Sequence, residues 1–144
     1  QALFPYERVL LVPVNHPLLE VNPISLDQIA RWPLILMGRG TATRTLLEEQ
    51  FQRRGLSYET VMELDGLDMV KRYVATGLGI AIGPRLAVDQ GDEYKLGIIN
   101  LSTILPVEQT GILTLRGKSL SRPVQNFISV LQENLAAVGS SSNQ

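Results

Sequence analysis

Short, almost continuously apolar runs alternate along this chain with stretches of helical spacing, and that alternation restricts the fold more than any other feature. Strands are expected at Arg8–Val14, Pro33–Met37, Tyr58–Leu64, Gly79–Gly83, Lys95–Leu101 and Gln109–Arg116. The short ones carry so few polar residues that they read as parallel strands buried on both faces. Helices are expected at Ser25–Arg31, Thr43–Arg54, Leu67–Thr76 and Ser121–Ala136. Ser25 precedes Leu26 and Asp27 as an N-cap should, Asp65 reads as the cap of the third helix, and Gly55 and Gly77 stand where left-handed C-caps belong. Strand and helix alternating in this way imply a layered α/β fold.

Within that pattern the run Ile35–Arg54, ILMGRGTATRTLLEEQFQRR, is the most suggestive of chemistry. A buried strand stops in a Gly-flanked loop and restarts as a helix, at a point rich in Thr hydroxyls and Arg. Glycine lets backbone approach a ligand closely, and the first helical turn offers unpaired N–H groups at a positive dipole end. This is the build of a pocket for a small anion or polar ligand. The plainer alternative makes Thr41 or Thr43 an N-cap and Gly40 a turn residue. Arg39 and Arg44 either supply charge to a ligand or are solvated, Arg44 being placed to pair with Glu48 four residues on. GRGTAT is not GxGxxG and carries no Lys-Ser/Thr, so it is no nucleotide-phosphate loop.

Composition removes several function classes. With 13 basic against 14 acidic side chains, the net charge of −1 leaves no broad basic face for nucleic acid. Zero cysteines rule out disulfides and thiolate chemistry, and with a single histidine, His16, no metal or other cofactor site is expected. Ser102, Thr103 and Asp89 have no partner base in any recognisable motif, and the pair Glu48–Glu49 lies on a solvated helix face, so no enzyme is expected. No apolar stretch has the roughly 18 residues that span a bilayer. QALFPYER does not read as an export signal, and the expected location is cytoplasmic, without membrane contact.

Taken in order, VLLVPVNHPL, ISLDQIARWPLIL, DMVKRYVATGLGIAIGPRLAV and ILTLRGKSLSRPVQNFISVLQENL closely resemble the effector-binding region of LysR-type transcriptional regulators, over about residues 5 to 136. The pattern DxxDMVKRYVxxGLGIA is most similar to the branch controlling sulfur assimilation, whose effectors include inorganic anions and acylated serines. The resemblance implies a periplasmic-binding-protein-like α/β fold: one complete three-layer lobe, with remnants of a second lobe. Residues 1–10 would be a remnant of the first lobe, 11–102 the second lobe, 103–136 the strand and helix returning to the first lobe, and 137–144 a flexible tail. Crossings between lobes would lie near Val12–Asn15 and Leu101–Pro106.

The same resemblance makes Gly38, Arg39, Gly40, Thr41, Ala42 and Thr43 the effector loop of the second lobe, binding a small, anionic molecule through backbone N–H groups and a hydroxyl. DNA would be met only through an N-terminal head that has no counterpart in these residues, as has the first half of the first lobe. Val124, Phe127, Ile128, Leu131 and Leu135 recur at helical spacing, and with Ile112–Leu115 they would lack the sheet that normally covers them. Self-association, as dimer or tetramer, is the expected outcome. Two rivals remain open: a lobe of an extracytoplasmic solute-binding protein used in transport, and an enzyme domain on the same scaffold.

Overall fold

The computed structural model describes residues 2–141, and side chains as far as Leu135. The chain forms two compact units: a larger one, Glu7–Val107, and a smaller one made from the stretch up to Tyr6 and the stretch from Glu108 onward. These divisions fall a few residues outside the crossings expected at Val12–Asn15 and Leu101–Pro106.

The larger unit is built on strands β2 (Arg8–Pro13), β3 (Leu34–Met37), β4 (Thr60–Leu64), β5 (Ala81–Pro84) and β6 (Leu96–Asn100). β3 and β4 pair in parallel, with Ile35 opposite Met62 and Met37 opposite Leu64. β2 lies between β5 and β6 and is antiparallel to both, Leu10 facing Ile82 on one side and Ile99 on the other. A parallel bridge between Leu34 and Ile80 joins the two groups, with Ile35 N–H donating to Ile80 C=O at 2.8 Å. The order is therefore β4-β3-β5-β2-β6, parallel except for β2. The strand expected at Arg8–Val14 is the antiparallel member, a direction its sequence did not announce. A wholly apolar run reports burial on two faces, which a central antiparallel strand shares.

Three layers result. Leu10 and Val12 point to one face, where Leu26 and Ile29 of α1 (Leu26–Ile29) and Leu47 and Phe51 of α2 (Ala42–Arg53) close the core with Leu34, Leu36 and Leu101. Val9 and Leu11 point to the other, against Val70 and Val74 of α3 (Leu67–Ala75). All four β2 side chains from Val9 to Val12 are fully buried. Each contributes about 1.5–3 kcal/mol relative to exposure, which makes β2 the spine of the unit.

The caps explain where these helices begin and end. Ser25 and Gln28 form a capping box on α1, and Thr41 Oγ1 accepts the Arg44 N–H at the start of α2. The expectation that Asp65 caps α3 is overturned. Gly66 holds the N-cap position, without a side-chain bond, and Asp65 stands one residue earlier. After α3, Gly77 takes φ +85° and the Gly77 and Leu78 amides return to Val74 and Tyr73, the left-handed exit expected of it. Gly79 then passes so close under β3 that a Cβ would sit 2.8 Å from the Pro33 carbonyl oxygen. Short 3-10 turns at Pro17–Glu20, Arg85–Ala87 and Asp92–Tyr94 have no counterpart in the sequence reading.

In the smaller unit, β1 (Ala2–Tyr6) pairs antiparallel with β7 (Glu108–Gly111), and Tyr6 Oη donates to Glu108 Oε2 at 2.6 Å. Helix α4 (Arg122–Ser141) follows. Two expectations need correction. The strand expected over Gln109–Arg116 ends at Gly111, because Ile112–Leu115 finds no strand to pair with among the described residues. The helix expected to stop at Ala136 runs on to Ser141, into the stretch 137–144 read as a flexible tail; of that stretch, 142–144 lie outside the described residues. Ile112–Leu115, Val124, Phe127, Ile128 and Leu131 line an apolar groove of about 520 Å³. Leu113 is 97% exposed and Phe127 67%.

Candidate functional site

Strands β3, β4 and β5 are parallel, so their carboxyl ends share one edge of the sheet, and in open α/β sheets ligands bind at that edge. The edge carries the loop from Gly38 to Thr41 after β3, Asp65–Gly66 after β4, and Arg85 after β5. Helices α2 and α3 both start here, directing the positive ends of their dipoles to the same side.

The six expected effector residues divide by environment. Gly38 is buried, its N–H donating to the Leu64 carbonyl at 3.2 Å, and a Cβ there would collide with Asp65 Oδ1. Arg39, Gly40 and Ala42 are exposed, and Gly40 takes φ +90°, which places the bend where glycine is favoured. Thr41 is half-buried and its hydroxyl is engaged locally, accepting from Arg44 N–H at 3.3 Å and donating to Gly38 C=O at 3.1 Å. Thr43 is buried, and its Oγ1 accepts from Arg8 Nε at 3.2 Å. The open part of the loop is thus Arg39 to Ala42. The Ala42 and Thr43 amides occupy the first two helical positions, which have no intrahelical acceptor.

Arg44 belongs to the framework. Nε pairs with Glu48 Oε1 at 2.6 Å, and one terminal nitrogen reaches Glu63 Oε2 at 3.0 Å and Met37 C=O at 3.1 Å, so the residue ties α2 to β3 and β4. Burial alone would lower its pKa, but the bonds to Glu48 and Glu63 outweigh that and hold it above its ordinary value.

Sequence reasoning missed a second polar centre. Lys71 Nζ, on the buried side of α3, donates to Asp89 Oδ2 at 2.7 Å, Asp92 Oδ2 at 2.9 Å and Ala87 C=O at 2.9 Å. The bond to Asp89 raises its pKa, against burial, and the Asp92 bond adds to the rise. The signal was a lysine between Val70 and Val74 on the apolar stripe, which demands acceptors from elsewhere in the chain. With every ammonium donor engaged, Lys71 is a structural clasp. His16 is also structural: its Nδ1 accepts the Leu18 N–H at 3.2 Å and its ring stands edge-on to Trp32, the centroids 4.3 Å apart. Among the described residues no group of three or more His, Cys, Asp or Glu side chains could hold a metal ion, and no helix is long and apolar enough to cross a membrane.

Known proteins with this arrangement agree with one another. The solved cofactor-binding domain of the Cbl transcriptional regulator superposes with a TM-score of 0.81 at 26% identity, covering 98% of this chain and 63% of that one. The Synechocystis PCC6803 CcmR regulatory domain, solved with 2-PG, gives 0.83 at 23% identity, covering 94% and 65%, a likeness of fold. In sequence, the HTH-type transcriptional regulator cbl of Escherichia coli K12 is 36% identical over 100 residues, 69% of this chain and 31% of the relative. CysB of Burkholderia cenocepacia is 31% identical over 132 residues, 92% and 42% of the respective lengths. The chain thus spans less than half of these relatives, which are named as transcriptional regulators and not as enzymes or transport proteins. The family profile described as LysR substrate binding domain matches residues 1–136, from β1 through the carboxyl-edge loop and into α4, and the chain belongs to that family.

Proposed function

We propose that these residues are the sensing region of a transcription regulator, and that a small anionic effector is held at the loop Gly38, Arg39, Gly40, Thr41, Ala42 and Thr43. The observation that carries this reading is the open bend at the carboxyl edge of a LysR substrate binding domain, where the Ala42 and Thr43 amides face the end of α2 with no helical acceptor and Arg39 is exposed. Thr41 shapes the bend as its cap. Related domains have been solved with 2-PG and with shikimate, both of which carry an acidic group.

In the whole protein, DNA contact belongs to a helix-turn-helix segment of the kind for which the relatives are named, and the location is cytoplasmic. The effector acts by binding one conformation better than another, which is all that a shift in population requires. The larger unit, Glu7–Val107, serves as the effector lobe, and the stretches up to Tyr6 and from Glu108 as parts of the other lobe. The exposed apolar groove of the smaller unit supports self-association through that face.

Nitrogen-15 NMR titration of the 144-residue chain with sulfate, acetate, 2-phosphoglycolate, shikimate and O-acetylserine tests the effector reading. Saturable shifts clustered on the amides from Gly40 to Thr43 are expected for at least one of them. Loop amides that stay silent for all five, or shifts confined to other segments, would remove the reading.

A further inference from the structure

Arg8 is the largest wholly buried side chain among the described residues, at 1% exposed. A guanidinium out of water is costly unless its donors are spent, and where they are spent marks what it holds together. Nε donates to Thr43 Oγ1 at 3.2 Å. One terminal nitrogen donates to the Pro106 carbonyl at 3.4 Å. The Arg8 backbone carbonyl accepts the Leu101 N–H at 3.0 Å, and Leu101 opens a turn in which the Ile104 and Leu105 amides both return to its carbonyl. Thr43 lies in the first turn of α2, directly after the open loop. Pro106 is the last residue but one of the larger unit.

We propose that Arg8 is a relay, a positioning residue that couples the first turn of α2 to the segment Leu101–Pro106 through one rigid guanidinium. As regulation, the proposal rests on the reading that the neighbouring loop holds the effector. The guanidinium is planar, so its donors keep fixed relative directions, and turning it to follow Thr43 Oγ1 re-aims the donor at Pro106. Burial excludes the water that would otherwise take over either bond. A shift of α2 on effector binding is thereby passed to the stretch where the chain leaves the unit. The effector need not touch the Thr43 hydroxyl, whose place is to register where the helix start sits.

The test is nitrogen-15 NMR on the whole 144-residue chain. Thr43→Val keeps the shape and removes the acceptor, whereas Thr43→Ser keeps the hydroxyl. In Thr43→Val the Arg8 Nε–H is expected to exchange with solvent at least about tenfold faster, as a freed donor does. The Val107 amide nitrogen, which reports hydrogen bonding at the preceding carbonyl, is expected to shift at the same time, while Thr43→Ser leaves both as in the unmodified chain. If valine at this position prevents folding, Thr43→Ala removes the same hydroxyl with less bulk. An unmoved Val107 signal in the variant lacking the hydroxyl would show the two bonds to be independent and overturn the relay. A serine variant that behaves like valine would also overturn it, by tracing the effect to the methyl group. Sulfate added to the unmodified chain keeps the two readings apart. Loop amides that respond while Val107 is silent count against the relay alone. A silent loop counts against the sulfate-binding reading, while the hydroxyl variants still decide the coupling.

Discussion

Gly38 and Gly79 look alike in the sequence, each beside an apolar strand, yet their surroundings set different costs for a side chain. At Gly79 a Cβ would meet the Pro33 carbonyl oxygen at 2.8 Å and Ile35 and Val61 within 3.2 Å, none of which can move without disturbing the join between β3 and β5. Gly79→Ala is expected to destabilise by about 1–3 kcal/mol, the range for overpacking. At Gly38 the obstacle is the tip of the exposed Asp65 side chain, which rotates away, so Gly38→Ala is expected to cost less than about 1 kcal/mol. Urea midpoints of the two variants check the contrast.

His16 carries a dependence on pH. Burial holds its pKa below the usual 6.5, so the folded chain prefers the neutral ring that accepts from Leu18 N–H. Stability from this preference is present above the unfolded value and is lost as pH falls through it toward the folded value. His16→Gln is expected to flatten the slope of stability in that window in pH-dependent urea unfolding. Asp92 is held below the ordinary carboxylate range by the Asp89 amide and then by Lys71, so its contribution persists to lower pH and is lost only as the solution falls below 3.8 toward the folded value.

Among elements, the Ser25 cap and the Gly77 exit were legible, while the start of α3 and strand direction were not. Ser25 with Gln28, and Gly77 after α3, are local devices whose partners lie within a few residues, so sequence contains all the information they need. Thr41 belongs with them. Thr41→Ala is expected to cost about 1 kcal/mol through loss of the α2 cap, and Thr41→Ser to recover most of it, by thermal unfolding. The direction of β2, the bonds from Arg8 to Thr43 and Pro106, and the Lys71 clasp all join residues far apart in the chain, and no local pattern announces them. Gln109–Arg116 shows the converse. Its apolar character was read as a strand, but a strand needs a neighbour, and beyond Gly111 none is present among the described residues. The effector loop was legible as strand, glycine bend and helix. That Thr43 faces inward to Arg8 was not, since Thr is equally at home on either side of a first turn.

For the whole molecule, the apolar groove beside α4 makes the aggregation state a measurable consequence. Leu113 and Phe127 are exposed together there, beside the apolar residues that line the groove. Multi-angle light scattering is expected to give at least a dimer's mass at tens of micromolar, and Leu113→Asp with Phe127→Asp to return it to that of one chain. A single-chain mass for the unmodified protein would count against association through this face.

The seat of β2 between β5 and β6 also governs the order of events when the chain is made. Val9 to Val12 are made before their partners on both sides, since β5 and β6 follow only about seventy to ninety residues later. Until then a strand with no charge between Val9 and Pro13 has both edges open, the form most prone to pairing with a neighbour's copy. The segment that ends as the most protected in the unit begins as its chief hazard on the ribosome.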